Sequence, residues 1–294
     1  MAQAPIFDPA SFKDDIRREW REAAPGWRQW LPTMETEDGS AALSRILVDQ
    51  ARLAPGAAVL DVGAGYGEPG LTAARAVAPS GRVVLQDIAG DMLATARQRA
   101  AQADLGDIDV ETVECDAEEL DLEPASVDAI LSRSAIQYLL DPAGTLARLR
   151  RACTPGGRLA ASVWGPPDRV GFAACLPIIL NALDLDPPPR DRPGPFALGD
   201  PDRLAAVVTD AGFAEVETGT TIAVWEFPTP QACTQFIRDV APPVTALVAD
   251  QPETVQQQVW QRVTDEAWEP FVAPADGWIH LPNEAHWVAA VNPS

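Results

Sequence analysis

The 294-residue chain contains one lysine, two histidines and four cysteines. The lysine, Lys13, falls in what reads as an N-terminal leader, so Schiff-base chemistry has no good candidate. His280 and His286 both lie near the C-terminus. That leaves no His-rich metal site and no Ser-His-Asp triad built early in the chain. Cys115, Cys153, Cys175 and Cys233 are far apart and form no C-x-x-C pair. Neither zinc nor a disulfide framework is indicated, and a reducing cytosol is the expected compartment. No apolar run approaches the ~18 residues of a membrane span. The start, MAQAPIFDPASFKDD, lacks the basic end and apolar stretch of a signal peptide. Cations are scarce overall: Lys+Arg is 22 against 43 Asp+Glu, a net charge of −21. Binding a polyanion rests on basic side chains, so neither nucleic acid nor an anionic membrane surface is expected as a partner.

What the chain has is apolar material and glycine-proline punctuation. Hydrophobic residues make up 47%, enough for a large core without staples. Residues 1–52 read as amphipathic helix: one from Ser11 to Trp20, broken at Pro25-Gly26 and Pro32, and a second over about 40–53. Short apolar runs then alternate with helical patterns. Strands are expected at 57–62, 82–86, 110–114, 127–132 and 158–163, with helices near 69–77, 90–103 and 142–153. This alternation predicts parallel pairing with right-handed crossovers, an open doubly wound α/β sheet. Beyond 164 the regularity falters. An apolar segment (172–185) precedes the proline-dense DPPPRDRPGPF, expected to be a loop or lid. A helix near 201–212, a long strand at 216–227, helices within 229–269 and a last strand at 286–291 complete the reading.

The chemistry-bearing segment is VLDVGAGYGEPG, 59–70. A strand passes through Asp61, Gly63, Gly65 and Gly67 alternate, and a helix begins near Pro69. Glycines let backbone turn sharply and approach a ligand closely. The second strand ends at Asp87, placed to accept hydrogen bonds from ribose hydroxyls. The third ends at Cys115-Asp116-Ala117, where a carboxylate can meet an adenine amino group. Ligand positions on the carboxyl ends of three neighbouring strands are how open α/β sheets bind nucleosides. Gly65-x-Gly67-x-x-Gly70 also matches the dinucleotide pattern G-x-G-x-x-G. Its register argues otherwise, because Asp61 would face a negative pyrophosphate, whereas a ligand with a positive amino group suits it.

Residues 57–163 resemble the core of class I S-adenosylmethionine-dependent methyltransferases, most closely the ubiquinone/menaquinone-biosynthesis and natural-product group. VLDVGAGYGEPGLTAAR, GRVVLQDIAGDMLATARQRA, VECDAEEL, VDAILSRSAIQYLLDP and LRRACTPGGRLAASVWGPP carry the resemblance, in order and spacing. It implies a seven-stranded, mostly parallel Rossmann-like sheet with an N-terminal helical cap (1–54), a cofactor-binding core (55–165) and a lid or substrate region with the final strands (166–294). It implies that Gly63, Ala64, Gly65 and Gly67 wrap the methionine portion of S-adenosylmethionine, with Asp61 near its ammonium. Asp87 would take the ribose, Ile88 and Met92 would pack on adenine, and Asp116 and Ala117 would read its edge. Ser132 and Arg133 would border the sulfonium, and Gln137 and Tyr138 would face the acceptor. Met92 is as readily a core residue, and Arg133 a partner for a surface acid. The group often places a histidine just after the fourth strand; here Ser134-Ala135-Ile136-Gln137-Tyr138 lacks one. That puts a general base there in doubt. Tyr138, Gln137 and His286 remain as catalytic candidates, with both histidines read as belonging to a late strand rather than the pocket.

From Pro55 to Val163 there is no Phe or Trp; all nine Trp and eight Phe lie outside. These aromatics either pack extra layers or line an apolar pocket, for which Trp27, Trp30 and Trp164 are candidates. The expected acceptor is a small, largely apolar molecule of specialised metabolism, methylated on O, N or C by a monomer or homodimer. The alternative is a cofactor-binding relative that transfers no methyl group, a cyclase or a regulatory module.

Overall fold

Seven strands form one sheet in the order β3-β2-β1-β4-β5-β7-β6. The structure is a computed structural model and describes residues 8–187 and 192–293. The strands are β1 (Ala58–Val62), β2 (Arg82–Asp87), β3 (Asp109–Glu114), β4 (Val127–Arg133), β5 (Cys153–Trp164), β6 (Ala214–Phe227) and β7 (Ile279–Val291). The first five pair in parallel, and β7 inserts antiparallel between β5 and β6. Chain order reverses between β1 and β4, which opens a crevice at their carboxyl ends, the usual ligand position in such sheets.

The parallel strands are apolar on both sides because helices cover both faces. Val59, Ala129 and Leu131 pack beneath Leu47 of α2 (Ser40–Ala51), Leu71 of α3 (Gly70–Ala76) and Leu93 of α4 (Gly90–Gln102). Leu60, Val62 and Ile130 pack against Leu146 of α5 (Pro142–Arg150) and Leu204 of α7 (Pro201–Asp210). Leu60 and Leu131 are completely buried on opposite faces, each worth roughly 1.5–3 kcal/mol in apolar transfer. A third, aromatic layer joins the far ends of β6 and β7 to α6 (Cys175–Leu183), α8 (Pro230–Val240), α9 (Pro242–Ala249) and α10 (Glu253–Glu266).

Three expectations need correction. The first helix, α1 (Pro9–Met34), runs through Pro25 and Pro32 instead of breaking there. Tertiary packing overrides the breakers. A Cβ at Gly26 would lie 2.2 Å from the Asp239 carbonyl oxygen, so this turn of α1 seats against the backbone of α8. The strand β5 absorbs Pro155-Gly156-Gly157 as an irregularity, with a register shift against β4. The strand β7 starts seven residues earlier than its apolar run suggests, since it pairs with β6 back to Ile279. Residues 188–191 of the proline-dense stretch lie outside the described residues. Among the described residues, no helix is long and apolar enough to cross a membrane.

Candidate active site

The loop after β1 is shaped by its glycines. Gly63, Gly65 and Gly67 have φ of 67°, 53° and 104°, the left-handed region that costs other residues roughly 1–2 kcal/mol. A Cβ on Gly63 would also fall 2.3 Å from the Ala135 Cβ, so this loop lies directly against the tip of β4. Ser134 there adopts φ 58°.

Strand β2 fastens the loop from below. Gly65 N donates to Asp87 Oδ2 at 2.8 Å, and Ala89 N to Asp87 Oδ1 at 2.8 Å. Gly63 N donates to Gln86 Oε1 at 3.1 Å, while Gln86 Nε2 donates to the Cys115 carbonyl at 2.7 Å. One glutamine therefore links the tips of three strands. Sequence reading missed Gln86; its only signal was an amide side chain inside an apolar run. Burial pushes the Asp87 carboxyl up to about 6, against backbone hydrogen bonds that lower it.

These tips open onto a cavity of about 1970 Å³. Small-molecule sites are usually ~300–1,000 Å³, so two ligands can share it. Gly63, Ala64, Gly65, Asp87, Ile88, Met92, Asp116, Ala117 and Arg133 line one lobe. Trp27, Tyr138, Trp164 and His286 line the same cavity. Its second lobe carries Phe172, Phe196, Trp225 and Phe236. Phe172 and Trp225 stack with centroids 5.5 Å apart and planes 17° apart, and Trp164 meets each edge-on. The aromatics outside the core thus both pack the extra layer and wall the cavity.

Five expected site residues lie off the cavity wall. Asp61 is fully buried beneath the loop, with Oδ2 accepting from Gly70 N at 2.7 Å and Oδ1 without a partner. Burial raises its carboxyl to about 8. Gly67 packs against Leu71 and Ala96. Ser132 Oγ donates to the Val62 carbonyl at 2.9 Å, tying β4 to β1. Gln137 is buried and donates to the Pro195 carbonyl at 3.2 Å, tethering the segment after the proline-dense stretch. Trp30 faces α8 instead, where Nε1 donates to Asp239 Oδ2 at 2.9 Å and the ring packs on Phe227 and Phe236.

Two cations behave differently from expectation. Lys13 is part of α1, and its ammonium reaches Asp116 at 2.9 Å and Glu118 at 2.6 Å. The carboxylate expected to read adenine therefore already holds the lysine, and Asp116 Oδ1 accepts from Glu118 N as well. Arg133 donates to the Ser40 carbonyl, to Ser44 Oγ and to Tyr66 Oη, and pairs with Glu35 at 2.8 Å. Tyr66 donates to Glu35 at 2.8 Å and stacks on Trp27. Arg133 thus clamps α2 and the glycine loop around a half-buried counter-ion, Glu35. Tyr66, Glu35 and Ser44 had no sequence signal, since only folding brings α1 and α2 to the β4 tip.

The histidines separate. His280 sits on the surface between Glu226 and Asp276. His286 is 4% exposed and lines the cavity, contrary to expectation. The reason is topological: β7 lies inside the sheet, so His286 pairs across from Val163 at the carboxyl end of β5. Among the described residues, no group of three His, Cys, Asp or Glu is arranged to hold a metal ion.

This sheet order, with a left-handed glycine loop after β1 and an acid at the β2 tip, is the Rossmann-like fold of class I methyltransferases. Residues 59–157 match the family model described as a methyltransferase domain. The chain is 31% identical over 141 residues, 48% of its length, to the ubiquinone/menaquinone biosynthesis C-methyltransferase UbiE of Hahella chejuensis, and covers 53% of that protein. It spans about half the length of the curated relatives it matches, 42% and 53% of the first two. Among solved structures it is similar to phosphoethanolamine N-methyltransferase 2 of Haemonchus contortus in complex with S-adenosyl-L-methionine. The TM-score is 0.58 at 19% identity, over 98% of this chain and 61% of that one. It is also similar to the [4+2]-cyclase SpnF, with TM-score 0.59 at 16% identity over 96% and 97% of the two chains.

Proposed function

We propose that this protein transfers a methyl group from S-adenosylmethionine to a small, largely apolar acceptor in specialised metabolism. The observation that carries the reading is the single cavity joining the glycine loop and Asp87 to an aromatic-walled lobe. The residues suit the cofactor. Gly63 and Gly65 bare their backbone to the cavity, Asp87 offers carboxylate lone pairs beyond those its loop contacts use, and Ile88 and Met92 give an apolar seat for a base. Asp61, buried beneath the loop, accepts from Gly70 N and so anchors the start of α3 behind the cofactor loop.

The bound sulfonium supplies an already activated methyl group. The chain's own task is then positioning and exclusion of water. Alignment at about 3–3.5 Å is worth roughly 7–11 kcal/mol. The Arg133–Glu35–Tyr66 clamp holds the β1 loop and the β4 tip in register, and Trp27 and Trp164 line the same cavity. In this reading α1 and α2, within 1–54, cap the site, 55–165 binds cofactor and 166–294 shapes the acceptor lobe.

Incubation with methyl-labelled S-adenosylmethionine and a panel of small phenols, indoles and quinone precursors tests this. Label in an organic-soluble product is expected. Tight cofactor binding without transfer to any acceptor would favour a non-transferring role, as the shared fold of a [4+2]-cyclase allows.

A further inference from the structure

His286 stands where the acceptor lobe meets the sheet. Its Nδ1 lies 3.0 Å from Thr220 Oγ1 on β6, and its Nε2 lies 3.6 Å from Glu284 Oε1 on β7. Glu284 in turn meets Arg169 at 3.4 Å. All four residues line the cavity. From β5 the ring is flanked by Val163 and Trp164, neither titratable. The charged groups that meet it are Glu284 and, through Glu284, Arg169. A histidine needed only for packing would not require a carboxylate beside its second nitrogen inside an aromatic cavity.

We infer that His286 is the general base of the transfer and that the acceptor presents a phenolic or enolic hydroxyl on a flat conjugated scaffold. This rests on the methyl-transfer reading. The role requires the tautomer in which Nδ1–H donates to Thr220 Oγ1, which leaves Nε2 its lone pair to take a proton. Glu284 stabilises the imidazolium that forms. An imidazole can take the proton of an acidic phenolic or enolic hydroxyl, which an aliphatic alcohol does not offer. The aromatic wall of Trp164, Phe172, Phe196 and Trp225 suits a flat apolar acceptor. In the step, the hydroxyl proton passes to Nε2 and the oxygen's electron pair bonds the methyl carbon. The carbon–sulfur bond breaks with its electrons staying on sulfur, and the imidazolium proton is then lost to solvent.

With only two histidines in the chain, the test is direct. S-adenosylhomocysteine is first titrated by calorimetry; absence of heat sinks the methyl-transfer reading itself. On the saturated protein, the histidine Cε1–H signals are followed by NMR as 2-naphthol or 2-methoxynaphthalene is added. The expected result is that 2-naphthol moves the titration of His286 and not of His280, while the methyl ether leaves both titrations in place. With S-adenosylmethionine, 2-naphthol becomes 2-methoxynaphthalene. His286→Asn lowers kcat by about 10²–10⁴-fold, leaves the KM for the donor unchanged and abolishes the acid limb of the pH profile. Glu284→Gln lowers kcat less than His286→Asn and keeps the acid limb. A His286 titration indifferent to 2-naphthol despite bound S-adenosylhomocysteine would overturn the inference. So would turnover in His286→Asn with an unaltered pH profile, or methyl recovered on carbon.

Discussion

Asp87 accepts a hydrogen bond from Gly65 N across 2.8 Å, so the acid at the β2 tip and the loop after β1 form one unit. The strand that presents the carboxylate also fixes how closely the loop backbone approaches a ligand. Removing either half disturbs both.

Asp87→Ala is therefore expected to weaken S-adenosylmethionine binding by about 1.5–3 kcal/mol, roughly ten- to hundredfold, through lost charge-assisted hydrogen bonds. Asp87→Asn, which keeps an acceptor for Gly65 N, should lose less. Calorimetry on both variants checks the order; equal, wild-type affinities would detach Asp87 from the cofactor.

Gly63→Ala places a methyl group 2.3 Å from the Ala135 Cβ at φ 67°. The expected outcome is a loss of about 2 kcal/mol or more in stability, from strain and overlap together. Gly106→Ala, at φ 62° with open space around it, should cost only the strain. Urea unfolding of the two variants separates the contributions.

The Asp61 carboxyl is raised by burial to about 8 in the folded chain, against about 3.9 unfolded. The folded state holds this proton more tightly, so the contribution to stability is full below about pH 4. It is lost as pH rises towards 8, a fall on the order of a few kcal/mol. Asp87, raised to about 6, adds its part between about 4 and 6. Asp61→Asn should remove the decline between about pH 6 and 8 and lessen, without abolishing, that between about 4 and 6, where Asp87 still contributes. Unfolding free energies at pH 5, 6.5 and 8 measure this; a slope unchanged by the substitution contradicts it.

Lys13 is expected to hold α1 across the cofactor lobe. Its contacts at 2.9 and 2.6 Å with Asp116 and Glu118 are part-buried, and Lys13→Ala leaves two acids without their cation. Loss of about 1–3 kcal/mol and faster proteolytic cleavage within 9–34 should follow. A cleavage rate equal to wild type would mean the aromatic contacts of Trp20 and Trp27 hold the helix unaided.

The parallel half of the fold was legible because its physics is local. Runs such as AVLDV and RVVLQD are buried on both faces, and the helices between them carry a clear period. The glycine loop and Asp87 were legible because left-handed backbone and a strand-end acid leave signatures in residue type. What escaped depends on topology. Lys13 looked like leader, yet α1 returns it to the tip of β3. His286 looked peripheral because nothing local says that β7 inserts beside β5. Trp30 and Trp27 are three residues apart on α1, but only Trp27 turns to the cavity while Trp30 meets Asp239. The Arg133 clamp joins α1, α2, the glycine loop and β4, and no window of sequence contains it.

The central claim is that a cationic nucleoside donor lies along the tips of β1, β2 and β3 against Gly63, Gly65 and Asp87. Titrating the purified protein with S-adenosylmethionine and S-adenosylhomocysteine by calorimetry, wild type beside Asp87→Ala, tests it most directly. Saturable heat at one site per chain, weakened at least tenfold in the variant, is the predicted result. No heat with either ligand, or identical isotherms for the two proteins, would contradict it.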